Sequence, residues 1–191
     1  MCPGIGVAMS VSRASIVLVR EYFYAHQFLV REVASDVLLV TNPLPAQAGG
    51  RCPFVVDDAD VGTLPGAVVR PVPWHTVRFS PAVLKRSPEI FLPFVSRQHG
   101  DIERLCGGEA FERVLVIPAL PASERLRQES IEFLQGQGVT HVLSFGTVIS
   151  GVIDRINPRQ VYTSDVAEIL RILKWYRFVR ERQATLPFDE S

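Results

Sequence analysis

"RVLVIPALPASERLRQESIEFLQGQGVTHVLSF" (residues 113–145) decides the fold class. Its first eight residues, 113–120, are a short run rich in Val, Leu and Ile, the signature of a strand buried on both faces. Residues 122–135 change to helical spacing, with Leu126, Ile131 and Leu134 on one face and Ser123 or Ala122 near the start. Gly136 and Gly138 can close that helix in the left-handed conformation. "VTHVLSF" (139–145) is a second buried strand. Strand, helix and strand with short joints make a βαβ unit, whose two strands are expected to run parallel.

Upstream, residues 13–30 carry apolar positions at Ile16, Val19, Phe23 and Val30, which predicts a helix with Arg13, Arg20 and Glu21 on its wet side. "DVLLVT" (36–41) reads as a buried strand, ended by Pro43, Pro45, Gly49 and Gly50. Residues 43–67 are long for a plain loop, and are expected to form a hairpin-like insertion or a mobile arm. The next stretch, "VVRPVPWHTVRFSPAVLK" (68–85), reads as a strand running into a helix. Pro71 and Pro73 lack an N–H on the same side, so this strand is expected at an edge or with a bulge. Downstream, a final helix is expected from about Ser164 to Arg182, burying Val166, Ile169, Leu170 and Leu173. The order predicts one domain, an α/β or α+β sandwich around a small mixed sheet.

The composition is that of a globular protein. In 191 residues, 47% are hydrophobic and 21% charged, with 20 basic and 20 acidic side chains. A zero balance argues against a generally basic surface and leaves room for a local basic face. Cys2, Cys52 and Cys106 form no C-x-x-C pair, so neither a zinc knuckle nor a disulfide framework is indicated. The start lacks a secretion signal's basic and apolar regions, and no apolar run approaches a bilayer's span. The expectation is a cytoplasmic protein without a membrane partner.

The usual catalytic fingerprints are missing. There is no G-x-G-x-x-G after a strand and no G-x-S-x-G elbow. His26, His75, His99 and His141 are scattered, and His141 reads as a core or rim residue. Asp57, Asp58 and Asp60 in "DDAD" are hard oxygen ligands that could hold Mg²⁺, although acidic clusters of this kind are also ordinary turn chemistry. The last helix carries Arg171, Lys174, Arg177, Arg180 and Arg182, which suits its dipole and could also follow a phosphate backbone.

A first helix, "DVLLVT", a strand ending in Trp74 that enters a helix, and then the βαβ unit: this order resembles the PD-(D/E)XK nuclease superfamily over 13–42 and 68–145. The resemblance implies a restriction-endonuclease-like core, α-β-β-β-α-β, within a three-layer sandwich with extra C-terminal helices. It places the family's first acid on Asp36. With Trp74 as the tryptophan of E-x-K-x-W, the glutamate and lysine slots fall on Arg70 and Val72. In a strand these two positions share a face, beside the acid of the neighbouring strand. Two carboxylates there would hold Mg²⁺ and activate a water. Arg70 instead brings a fixed positive charge, and Val72 has no donor.

The resemblance therefore implies a catalytically degenerate nuclease-fold protein, with Asp36 as a remnant and no cofactor. Such a protein would serve as a structural or nucleic-acid-contacting subunit of a bacterial DNA-processing or defence assembly, with a protein partner or a second copy of itself. Arg70, Trp74, Arg171, Lys174 and Arg177 would contact DNA or RNA. The rival is an active Mg²⁺-dependent nuclease whose relocated acids are Asp36, Asp57, Asp58 and Asp60. A third reading is a protein-interaction module using "EIFLPFV" (89–95).

Overall fold

The computed structural model describes residues 13–44, 52–72, 81–86 and 111–178. In chain order these form α1 (Arg13–Ala25), β1 (Leu29–Ala34), β2 (Val37–Thr41), β3 (Val55–Val56), a 3₁₀ turn (Val61–Thr63), β4 (Gly66–Pro71) and α2 (Pro81–Arg86). There follow β5 (Glu112–Ile117), α3 (Glu124–Gly136), β6 (His141–Ser144), α4 (Phe145–Arg155) and α5 (Asp165–Trp175). The strands make one mixed sheet of six, in the order β1-β2-β4-β5-β6-β3.

The two halves of the sheet have different chemistry. β1, β2 and β4 are antiparallel neighbours, whereas β4, β5, β6 and β3 pair in parallel. As expected, α3 separates two parallel strands. Side chains alternate strictly. Leu38, Val40, Ala67, Val69, Val114, Val116 and Leu143 join a core with Ile16, Val19 and Phe23 of α1, Val148 and Val152 of α4, and Ala167 of α5. Val37, Leu39, Val68, Leu115, Ile117 and Val142 pack on the opposite face with Leu134 of α3. Helices thus cover both faces, which is why the central strands read as continuous apolar runs.

Four expectations need correction. The helix predicted over 13–30 stops at Ala25, and Leu29–Ala34 turns back as β1. Gln27 takes a left-handed φ of 66°, and Phe28 N–H donates to the Phe23 carbonyl at 3.0 Å, closing the helix end. β1 is a largely exposed edge strand whose two less exposed residues, Val30 and Val33, lie three apart where the bulge interrupts alternation, a spacing that overlaps a helix's over so few residues.

β4 is not an edge strand, since it lies between β2 and β5. Pro71 is tolerated because of parity. Val72 N–H donates to the Val116 carbonyl at 2.8 Å, so the nitrogen of Pro71 points the other way, towards β2. There the pairing has already ended, at Leu38 opposite Val69. Pro73 lies outside the described residues.

The described part of the 43–67 connection is packed, not held apart as an arm. β3 pairs with β6 at the far edge, and Val56, Val61 and Leu64 are buried in the α1 core. The apolar side chains of "CPFVV" and "VGTL" supply the driving force. At the other end, α5 stops at Trp175, and its stripe is less buried than expected, with Ile169 56% exposed. Among the described residues, no helix is long and apolar enough to cross a membrane.

Leu115 is fully buried at the centre of the sheet. Leu115→Ala is expected to cost about 2–5 kcal/mol, while Val161→Ala, at an exposed position, stays within about 0.5 kcal/mol. Urea unfolding followed by circular dichroism measures both.

Candidate functional site

The position singled out in the sequence is assembled by a tight hairpin. Ala34 pairs with Val37, leaving Ser35 and Asp36 as a two-residue turn between β1 and β2. Neither has a positive φ, so this is not the turn type that best matches strand twist; a bulge on β1 between Glu32 and Ala34 adjusts the register instead. The turn carries Asp36 to the start of β2, beside the C-terminal half of β4. There Arg70 donates to it twice, from Nη2 at 2.7 Å and from Nε at 3.1 Å, both to Oδ2. The side chains are 14% and 26% exposed, so the pair is partly shielded from water. Val72, two residues on, is buried among the side chains facing α3.

The two residues that were aligned from sequence do meet, and the guanidinium stands against the carboxylate. A divalent cation at Asp36 would have to displace it. Trp74 lies outside the described residues.

The acidic loop divides its labour. Asp60 heads the 3₁₀ turn, its carbonyl accepting from the Thr63 hydroxyl at 2.7 Å and the Thr63 N–H at 2.9 Å. Asp57 is exposed and its carbonyl accepts from Asp60 N–H. Asp58 turns inward under α1 and α4. Its Oδ1 is 2.9 Å from His26 Nε2, and its Oδ2 accepts from Arg155 Nη1 at 2.8 Å. Asp36 and Asp58 thus serve different partners. Among the described residues, no group of three or more His, Cys, Asp or Glu side chains is placed to hold a metal ion. The relocated-acid site does not assemble there.

The Asp58 cluster has a fourth member. Tyr22 is fully buried, its ring 4.6 Å from that of His26, and its hydroxyl has no hydrogen-bond partner among the described residues. Burial raises the Tyr22 pKa, and the nearby Asp58 charge adds to that. Burial also lowers the pKa of His26, helped by the Arg155 charge and opposed by Asp58. For Asp58, burial alone would raise the pKa, but hydrogen bonds from Arg155 and His26 together hold it below its usual value. Gly151 makes room for all this: a Cβ there would lie 2.3 Å from Asp58 Oδ1 and 2.5 Å from Tyr22 Cε2.

Sequence reasoning missed this knot. The signal was the four-residue spacing of Tyr22 and His26 together with one inward acid of "DDAD", but nothing local ties position 26 to position 58. His141, which reads as a core or rim residue, is 94% buried, with Nδ1 2.9 Å from the Pro53 carbonyl.

The cations of α5 are mostly committed. Arg171 donates to Glu168 through Nε at 2.8 Å and to the Pro158 carbonyl at 3.1 Å. That hydrogen bond holds the Glu168 carboxyl below its ordinary pKa. Lys174 Nζ donates to the carbonyls of Ile153 and Ile156, both at 2.8 Å, and so caps the end of α4. Arg177 has a φ of 61° and ends α5. Arg180, Arg182 and "EIFLPFV" lie outside the described residues. Comparison with known proteins gives no match: no family model, no curated protein and no solved structure aligns significantly with this chain.

Two outcomes follow from the Asp58 knot. His26 has its pKa lowered on folding, so its contribution is complete above its unfolded value of about 6.5 and is lost as pH falls from there through the folded value. Asp58 is also lowered, so its share is present above about pH 3.9 and disappears at more acid pH. Urea unfolding across pH is therefore expected to show stability declining in two acid steps, and His26→Gln, which keeps an N–H donor, removes the first. Gly151→Ala should destabilise by about 1–3 kcal/mol despite alanine's better helix propensity, because Tyr22 has no space to yield. Thermal denaturation of this variant checks the sign.

Proposed function

We propose that the chain is a catalytically degenerate nuclease-like protein. In this reading it acts as a nucleic-acid-contacting or structural subunit of a bacterial DNA-processing or defence assembly. The observation that carries the reading is the Arg70–Asp36 pair. In the superfamily that the sequence resembles, a carboxylate on the strand equivalent to β4 would face the acid at Asp36 and share a metal ion with it. Here a guanidinium makes that contact and neutralises the acid.

The consequences are chemical. Arg70 supplies a positive charge in place of the ion's, but it cannot lower the pKa of a bound water as a divalent cation does. Val72, in the lysine slot, is buried and offers no donor to orient an attacking water. The strand arrangement adds support, since an antiparallel β1-β2-β4 half joined to a parallel β4-β5-β6 half is compatible with an α-β-β-β-α-β core.

The test is incubation of the full chain with supercoiled plasmid and Mg²⁺ or Mn²⁺, beside calorimetric titration of either ion. The expected outcome is no metal-dependent cutting and no ion bound at Asp36. Cutting that Asp36→Ala abolishes would overturn the reading in favour of an active nuclease. Band-shift assays at low and high salt then separate the two roles, because phosphate contact weakens as salt rises.

A further inference from the structure

The end of α5 carries a surface that the Arg70–Asp36 pair does not explain. An open pocket of about 560 Å³ is lined by Pro158, Arg159, Arg171, Ile172, Trp175 and Tyr176. Trp175 is 56% exposed and Tyr176 67%. Two large aromatic side chains left side by side in water are costly to keep unless something covers them. Arg171 is a fixed wall, held by Glu168 and by the Pro158 carbonyl. Arg159 differs: its backbone N–H donates to Asn157, while its guanidinium makes no hydrogen bond or ion pair among the described residues. Arg177 stands exposed beside Tyr176 with its side chain equally uncommitted among the described residues.

The charge selects the occupant. The pocket lining carries two arginines, Arg159 and Arg171, and no carboxylate, and the Glu168 carboxylate behind it is engaged by Arg171. An apolar protein partner gains nothing from two uncommitted guanidinium groups, whereas a polyanion does. Aromatic rings beside arginines suit a ligand that offers flat π-faces and phosphates together. In a duplex the base faces are stacked on one another; in a single strand they are accessible.

We propose that Trp175, Tyr176, Arg159 and Arg177 form a stacking platform for single-stranded nucleic acid, with the rings taking bases and the guanidinium groups taking phosphates. This rests on the nucleic-acid role proposed above and assigns it to a place away from the Arg70–Asp36 pair.

The test is fluorescence anisotropy of the full chain with labelled oligothymidylate of about 20 nucleotides, and with a duplex of similar length, at several salt concentrations. Trp175→Ala is expected to weaken single-strand binding about tenfold and leave duplex binding unchanged, with Trp175→Phe retaining most of the affinity. Arg159→Ala should reduce the salt slope by about one. If the unsubstituted chain binds the oligonucleotide and neither Trp175→Ala nor Arg159→Ala alters that, the platform is overturned while a nucleic-acid role elsewhere stands. If it binds neither single strand nor duplex at low salt, the platform is overturned and the proposed function is left with its structural role alone. If light scattering shows that Trp175→Ala instead breaks up an oligomer, the surface is a protein contact and the platform is overturned.

Discussion

β4 is the strand on which the two halves of the molecule depend. On one side it continues the antiparallel meander from β1 and β2, and on the other it opens the parallel run through β5 and β6. A strand with different neighbours on its two sides must donate alternately to each, so every residue has a fixed direction. Ala67 and Val69 enter one core, Val68 and Val72 the other. Arg70 falls on the same side as Val68 and Val72, yet its guanidinium needs a polar partner at the rim. The Ser35–Asp36 turn supplies one. Burying either charge by itself would be costly, so hairpin and central strand hold each other in register at the point where β2 begins.

The Asp58 knot does comparable work on the opposite face. The chain between β3 and β4 passes under α1 and α4, and most of its contacts are apolar and tolerant of sliding. One carboxylate that accepts from His26 and Arg155 at once is not tolerant. It ties the end of α1, the end of α4 and the crossing segment to a single geometry. Gly151 is the residue that permits so close an approach. Arrangements of this kind add specificity through hydrogen-bond direction as much as through energy, since a partly broken buried network is worse than none.

How much of this was legible from sequence depended on how local the cause was. β5, α3 and β6 announced themselves, because burial on both faces makes strands apolar throughout and the helix between them repeats on its own period. The adjacency of Asp36 and Arg70 was also legible, through the pattern of elements and not through either residue. β1 was not, since an edge strand of six residues with polar side chains outside shares its spacing with a helix end. β3 was hidden for a different reason. Two residues paired to β6 at the far edge carry no periodic signal, and the pairing spans 87 residues from Val55 to Val142. The partnership of His26 with Asp58 spans 32 residues and was invisible on the same grounds.

The charges explain why the candidate surface lies at the periphery. A chain with equal numbers of acids and bases can pair its partly shielded charges off, and these are so paired: Arg70 with Asp36, Arg155 with Asp58, Arg171 with Glu168. Lys174 is turned onto main-chain carbonyls. Each of these cations holds two elements together, and moving one to meet a ligand would leave a carboxylate or a helix end unsatisfied. Binding energy gained there would be offset by the loss. Arg159 and Arg177 carry no such obligation among the described residues, so a phosphate can engage them without dismantling the fold. Their position beside Trp175 and Tyr176 therefore follows from the same economy that keeps the sheet's own arginines occupied.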